Sequence, residues 1–512
     1  MRLEAFMPFN EEIYLPAPNE LELAALPLTE FGNTKRLLAR YGDVLAYGPG
    51  DVWYCWSGKQ WVGGERGRDS AMVLAQKTVE AMEDELAVLK KHLKNNDSLT
   101  KHEKAFCNVN RLAALEKWIA HSSGLVMLKR MVELSKRQPD QRNHRWDTDL
   151  DRINLQNGSL VFHSRDRADG KTGRSCEPAF YKHTPSDYMT KIAEVAYDPD
   201  AKAPLWEAHL ERCLPDPEDR RFFQRYMGSC LTGRCDEQAF LILQGDGANG
   251  KSTTIRVLQD LLGDYGASVD VGAFLKGGGQ APGAATPQLA RLEGPRMVVA
   301  SEPEDGACFN EARLKTFTGG DRVVGRKLYK DLREFVPQLK LIIPCNKLPR
   351  IGGRSEATWR RVHVLEWTTS IPKEARDPRM KERLARESAG VLNWMIQGLI
   401  DYTEQGLAPP QNVRDAKSRY KGTASPVARW VEERLQTGLA EENMIFLKDL
   451  HENHEAWCAR QTLSPLKIRA FGQALTKRGI PAERSGGDAV RKGVALKHPN
   501  GPNGPKGRKE PR

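Results

Sequence analysis

Nine consecutive residues constrain this chain more than any others: Gly245-Asp246-Gly247-Ala248-Asn249-Gly250-Lys251-Ser252-Thr253. They fit G-x-x-x-x-G-K-[ST] without a mismatch. An apolar run, Ala239 to Leu243, leads in, and a helix-like segment, Thr254 to Leu262, follows. Strand, glycine-rich turn and helix in that order let successive backbone N–H groups converge on an anion at the positive end of a helix. The stretch reads as a cradle for the phosphates of ATP, with Lys251 reaching the outer phosphates and the Ser252 hydroxyl holding Mg2+. A chance Gly-rich turn would have no reason to carry both flanks.

The remaining chain decides what such a loop serves. At 512 residues it has room for several domains of roughly 150 residues each. No apolar run approaches the ~20 residues of a membrane span, and the first residues lack the apolar core of a signal peptide. The nine cysteines include no C-x-x-C pair, so reduced thiols in a cytoplasmic chain with no membrane partner are expected. The net charge is +11, and residues 464–512 hold twelve Lys/Arg against three Asp/Glu. Such a terminal concentration of positive charge points to a polyanion such as nucleic acid.

Residues 1–30 read as a flexible arm and residues 31–205 as a mainly helical domain. Trp53, Trp56 and Trp61 flank a hairpin on Ser57-Gly58 and are expected to pack a small sheet rather than stack on bases. Ala71 to Leu93 reads as one long helix, Val109 to Leu134 as one or two, and Leu155 to Phe162 as strands turned on Asn157-Gly158. Asp147, Asp149 and Asp151 alternate as metal-holding acids of a polymerase site would, but no apolar strand precedes them. A structural turn is expected there.

Four signals follow the phosphate loop. Met297 to Ala300 is an apolar run ending in Ser301-Glu302, where Glu302 would polarise the attacking water and support Mg2+. Lys315 to Asp321 precedes a predicted hairpin whose basic tip holds Arg326, Lys327 and Lys330 and whose return strand runs from Phe335 to Ile343. Leu341 to Cys345 ends in Asn346, a candidate polar sensor of the γ-phosphate. Arg360 and Arg361 precede the strand Val362 to Trp367 and are candidates to reach a neighbouring subunit's phosphates. Beyond the linkers at Ala408-Pro410 and Gly422-Pro426, three helices and a basic hairpin carry Lys467, Arg469, Lys477, Arg478, Arg491 and Lys492, expected on DNA phosphates.

Together Gly245 to Ser252, Val299 to Glu304, Thr318 to Asp321, Asn346-Lys347-Leu348-Pro349 and Trp359-Arg360-Arg361 resemble the superfamily-3 helicases of the phage and plasmid primase–helicase family, which includes the poxvirus primase–helicase. The resemblance covers most of the chain from about residue 30. It implies an α/β fold: an AAA+-type P-loop ATPase core over 206–405, a helical collar over 31–205 and a winged-helix-like domain over 424–497; the Pro/Gly/Lys-rich residues 498–512 read as a disordered basic tail. It also implies a homo-hexameric ring translocating on single-stranded and forked DNA, catalysis by Glu302, Asn346, Arg360 and Arg361, ATP held by residues 245–253, and Mg2+ held by Ser252 and Glu302. Ser301 departs from the family pattern, standing where many ATPases carry the aspartate beside the metal. The short stretch before residue 31 implies a helicase without its primase–polymerase domain, working with a separate primase or polymerase in a phage-, prophage- or plasmid-encoded system. The rival reading is an ATP-regulated DNA-binding initiator or loader.

Overall fold

The computed structural model describes residues 18–48, 51–94, 100, 106–138, 144–166, 174–277, 290–326, 332–351, 356–423, 426–460, 465–485 and 487–497. Its strands, in chain order, are β1 Leu45–Gly48, β2 Val52–Trp56, β3 Trp61–Val62, β4 Arg152–Leu155, β5 Gly158–Asp166, β6 Arg174–Tyr181, β7 Phe240–Gln244, β8 Gly266–Val269, β9 Met297–Ala300, β10 Val323–Arg326, β11 Leu332–Phe335, β12 Lys340–Cys345, β13 Val362–Glu366, β14 Leu435–Thr437, β15 Met444–Phe446, β16 Glu483–Ser485, β17 Asp488–Lys492 and β18 Val494–Leu496.

The centre is a five-stranded, all-parallel sheet ordered β13-β7-β12-β9-β8. Its strands are near-continuous apolar runs such as Phe240-Leu241-Ile242-Leu243, each residue buried. A sheet covered on both faces demands that composition. One face packs on the helices Pro204–Cys213, Pro217–Ser229 and Ser388–Gln405, the other on Phe274, Phe309, Phe317 and Trp359. The helix Pro217–Ser229 starts where Asp216 accepts from Glu218 N and Pro217 fills the first turn, the chemistry that favours a helix start.

The sequence-based domain description needs several corrections. Within the stretch expected to be a flexible arm, Glu20–Ala25 is a helix that buries Leu23 and Ala24. It is pinned by Arg36, whose guanidinium donates to Leu23 O at 2.9 Å while paired with buried Glu85. The region to 205 is not helical alone. It contains two three-stranded antiparallel sheets, β1-β2-β3 and β4-β5-β6. The long predicted helix is two, Glu65–Glu80 and Met82–Lys94, broken at Ala81. The return strand of the hairpin is β11, pairing Val323 with Phe335, whereas β12 joins the central sheet. The helix Gln411–Thr423, past the expected end of the core at 405, docks Ala416 and Tyr420 into the core beneath the sheet.

Trp53, Trp56 and Trp61 are buried around the β2–β3 turn, and Trp61 donates to Pro185 O at 2.8 Å. The three aspartates form a turn. Asp147 accepts from Thr190 N at 2.8 Å, Asp149 from Asp151 N at 3.1 Å, and Asp151 pairs with Arg234. The β4–β6 sheet is tied to the centre by Arg296, which donates to Arg152 O and Leu231 O and lies over the Tyr265 ring. Residues 426–497 enclose their own core around Trp430, Trp457 and Phe471. No helix among the described residues is long and apolar enough to cross a membrane, and the nine cysteines are free thiols.

Candidate functional site

In parallel strands all C-terminal ends share one edge of the sheet. That edge receives the loop after β7, Ser301-Glu302 after β9 and Asn346 after β12. Gly245 N donates to Cys345 O at 3.0 Å, binding the loop to the end of β12. Gly245 and Gly250 are required by space. A Cβ on Gly245 would stand 2.2 Å from Trp367 O, and one on Gly250, at φ +81°, would stand 2.3 Å from Cys213 Sγ.

Asn249, buried, locks the loop to the end of β13. Its Nδ2 donates to Trp367 O at 3.0 Å, its Oδ1 accepts from Lys251 N at 3.2 Å, and its own carbonyl accepts from Trp367 Nε1 at 2.7 Å. Asp246, Gly247 and Ala248 are exposed at the tip and Ser252 on the first helical turn, with Thr253 half-buried beside it.

Lys251 opens the helix Lys251–Leu262. Its Nζ donates to Gly245 O at 2.7 Å and Cys345 O at 3.1 Å. Burial lowers its pKa from the ordinary lysine value, against opposing fields from Cys345, Glu302 and Asp246. This cation, held on carbonyls at a helix N-terminus without an ion-pair partner among the described residues, is suited to a polyanion. Burial pushes the neighbouring Cys345 thiol up to about 12.

Glu302 is exposed and accepts from Asn346 N at 2.9 Å, so these two residues are brought together beside Lys251. Ser301 accepts from Val271 N at 3.0 Å, which fixes the turn after β8. The loops carrying Glu302 and Asn346 are zipped by Arg350 N to Ala307 O and Phe309 N to Arg350 O, at 2.6 and 2.8 Å.

A cavity of ≈ 350 Å³ opens beside the loop, lined among others by Leu205, His209, Thr253, Ile371, Arg376 and Met380. That volume is in the range of small-ligand pockets. His209, held neutral by burial with its pKa at about 4, meets Thr254 Oγ1 at 2.9 Å. Apart from Thr253, sequence reasoning did not single out these residues, which come from segments up to 175 positions apart.

Arg360 and Arg361 are not at this site. Val362 pairs with Phe240 and Glu366 with Gln244, so the arginines sit at the opposite, N-terminal edge, roughly 17 Å away by strand rise. They also differ from one another. Arg361 is 7% exposed and donates to Ala357 O at 2.6 Å and Gln238 Oε1 at 2.8 Å. Its candidacy as a mobile finger is corrected: it is tied inside its own chain. Arg360 is exposed, with one contact to Gln238 Oε1 at 3.0 Å.

The DNA-contact candidates divide likewise. Lys315 is half-buried in the helix Glu311–Gly319, and Arg326 ends β10. Lys327 and Lys330 lie outside the described residues. Lys467, Arg469 and Lys477 are exposed around the helix Ile468–Thr476. Arg491 is 2% exposed and donates to Gly472 O at 2.8 Å, so its expected phosphate contact is withdrawn. Arg478 donates to Gly422 O at 2.7 Å, and Lys492 pairs with Glu483 at 2.6 Å. Both are partly committed within the fold.

Residues 34–215 match the family model described as D5 N terminal like. A proposed helicase of Acanthamoeba polyphaga mimivirus is 29% identical over 265 residues, covering 48% of this chain and 28% of the relative. A proposed helicase of Frog virus 3 is 30% identical over 257 residues, 46% of this chain and 26% of the relative. A proposed primase of African swine fever virus is 24% identical over 187 residues, 36% of this chain and 19% of the relative. The chain thus spans about a fifth to a little over a quarter of the length of these curated relatives, which come from viruses named for an amoeba, a frog and swine. The apo C-terminal region of NrS-1 aligns at a TM-score of 0.36 and 12% identity, covering 65% of this chain and 94% of that one, a likeness too slight to bear on the fold. By its family-model match over residues 34–215 and its run of viral relatives, this chain is similar to the D5-like primase–helicases.

Proposed function

We propose that the chain is an ATP-driven DNA helicase motor built on an AAA+-type core. The observation that carries this reading is the sheet edge. Numbered along the chain, the five central strands lie in the order fifth, first, fourth, third, second. The first ends in the glycine loop, the third in Glu302 and the fourth, between them, in Asn346. A phosphate cradle, a base and a polar sensor thereby converge from three adjacent strands, the arrangement nucleotide hydrolysis needs.

The loop's amides and Lys251 bind the phosphates, and the adjacent cavity offers an apolar wall and Arg376 to the nucleoside. Ser252 would hold Mg2+, with Glu302 supporting it; the ion would neutralise phosphate charge. Glu302, released from Asn346 N, takes the proton of a water whose oxygen adds to the γ-phosphorus as the bond to the β-phosphate oxygen breaks. Asn346 orients that water or the γ-phosphate. Arg360 cannot reach the nucleotide of its own chain, so its role requires a neighbouring copy, as in a ring, where it would steady the transition-state charge. The basic hairpin β10–β11 and the winged-helix-like unit of 426–497 are the DNA-facing parts.

The test is ATP hydrolysis with and without single-stranded DNA, followed by strand separation on a fork. Lys251→Ala should abolish both, and Glu302→Gln should bind nucleotide without turnover. Robust DNA-stimulated hydrolysis with no unwinding would favour the initiator or loader reading. A Glu302→Gln protein with parental turnover would remove Glu302 as the base.

A further inference from the structure

The far edge of the sheet carries a device that the nucleotide loop does not explain. Gln238 precedes β7 with φ 50°, in the left-handed region that an L-residue adopts at a cost. Its Oε1 accepts from Arg360 at 3.0 Å and from Arg361 at 2.8 Å, and its Nε2 contacts Gly319 O at 3.4 Å. Lys417 Nζ donates to Arg360 O at 3.5 Å. Among the described residues neither arginine forms an ion pair; Asp321 acts on Arg361 only through its field. Two adjacent guanidinia thus share one neutral amide oxygen, with a lysine held on the backbone carbonyl of the outer one. Like charges this close repel unless something holds them. A carboxylate would hold them better but would cancel the charge they present.

We infer that Gln238 is a positioning residue that fixes Arg360 as an uncompensated cation aimed at the nucleotide of an adjoining copy of this chain. The inference rests on the proposed function and adds to it the residue that sets the arginine's geometry. Arg361 is the inner brace: buried, bonded to Ala357 O and to the same amide. Arg360 is the outer, exposed member. The strained backbone at Gln238 is what brings its side chain under both, because the residue stands at the turn entering the strand.

The test uses the full chain. Gln238→Gly relaxes the left-handed backbone, so it should not harm folding, yet it removes the amide. Expected are unchanged binding of a non-hydrolysable ATP analogue and unchanged KM, with kcat lowered about 10-fold or more, since small misplacements of an acting group carry penalties up to about 100-fold. Gln238→Glu should keep the geometry but lose kcat by neutralising charge. Mixing Gln238→Gly with Lys251→Ala protein should restore turnover, because the Lys251→Ala copies still donate a well-placed Arg360 to intact sites. A purely local folding defect would not be rescued this way. If Gln238→Gly turns over at the parental rate while Arg360→Ala is impaired, the positioning role is overturned. Should Arg360→Ala also be unimpaired, the trans-acting arginine itself is wrong and the reading beneath the inference falls with it.

Discussion

Asn249→Ala isolates what holds the phosphate loop in shape before any nucleotide arrives. The substitution removes two hydrogen bonds, to Trp367 O and from Lys251 N, and spares a third, because Trp367 Nε1 binds the backbone carbonyl of residue 249. A net hydrogen bond contributes roughly 1 kcal/mol, and stranding the buried Trp367 carbonyl adds to that, so the loss is about 2 kcal/mol. It can appear in either of two places. If the loop stays put, thermal unfolding shifts to lower temperature. If the loop frays locally, the cost is met on binding and ATP affinity falls about 30-fold, since each 1.4 kcal/mol is tenfold. Thermal unfolding and calorimetric titration of an ATP analogue on the same protein measure both. Parental behaviour in both would refute the claim that the clamp between Asn249 and Trp367 shapes the site.

The complementary substitution, Ala248→Gly, relieves a non-glycine residue at φ 63° and should raise stability by roughly 1 kcal/mol, visible as a higher unfolding temperature. Burial holds His209 and His363 at about 4, below the ordinary value near 6.5; between these limits the unfolded chain binds more protons, so stability falls as pH drops from 6.5 toward 4. By pH 5 each should cost about 2 kcal/mol, and denaturation at pH 7 and pH 5 of the wild type and His363→Gln should show the variant losing less. Arg360→Ala should lower kcat without changing the unfolding temperature, whereas Arg361→Ala should lower the unfolding temperature, a contrast read by hydrolysis and thermal scans. In the C-terminal unit, Lys467→Ala, Arg469→Ala and Lys477→Ala should each reduce the salt slope of DNA binding by about one, while Arg491→Ala should destabilise the unit, as measured by its own melting transition.

Local residue patterns made much of the candidate site legible. The Gly245–Thr253 loop could be placed because a glycine-rich turn between an apolar run and a helix serves few purposes. Met297 to Ala300 and Leu341 to Cys345 were readable as buried strands from their unbroken apolar runs, so Glu302 and Asn346 could be put at strand ends. Tertiary structure alone decided the rest. Which strands are neighbours is a matter of pairing between segments about thirty to a hundred and twenty residues apart, and no local pattern encodes it. That pairing brings Asn346 N onto Glu302 and sends Arg360 to the far edge. The side chain of a basic residue looks the same in sequence whether it faces water or a carbonyl. Packing against Gly472 therefore buried Arg491, and packing against Gln238 and Ala357 buried Arg361. Gln238 itself carries no local signal, because its importance lies in what two arginines over a hundred and twenty residues away do with one amide oxygen.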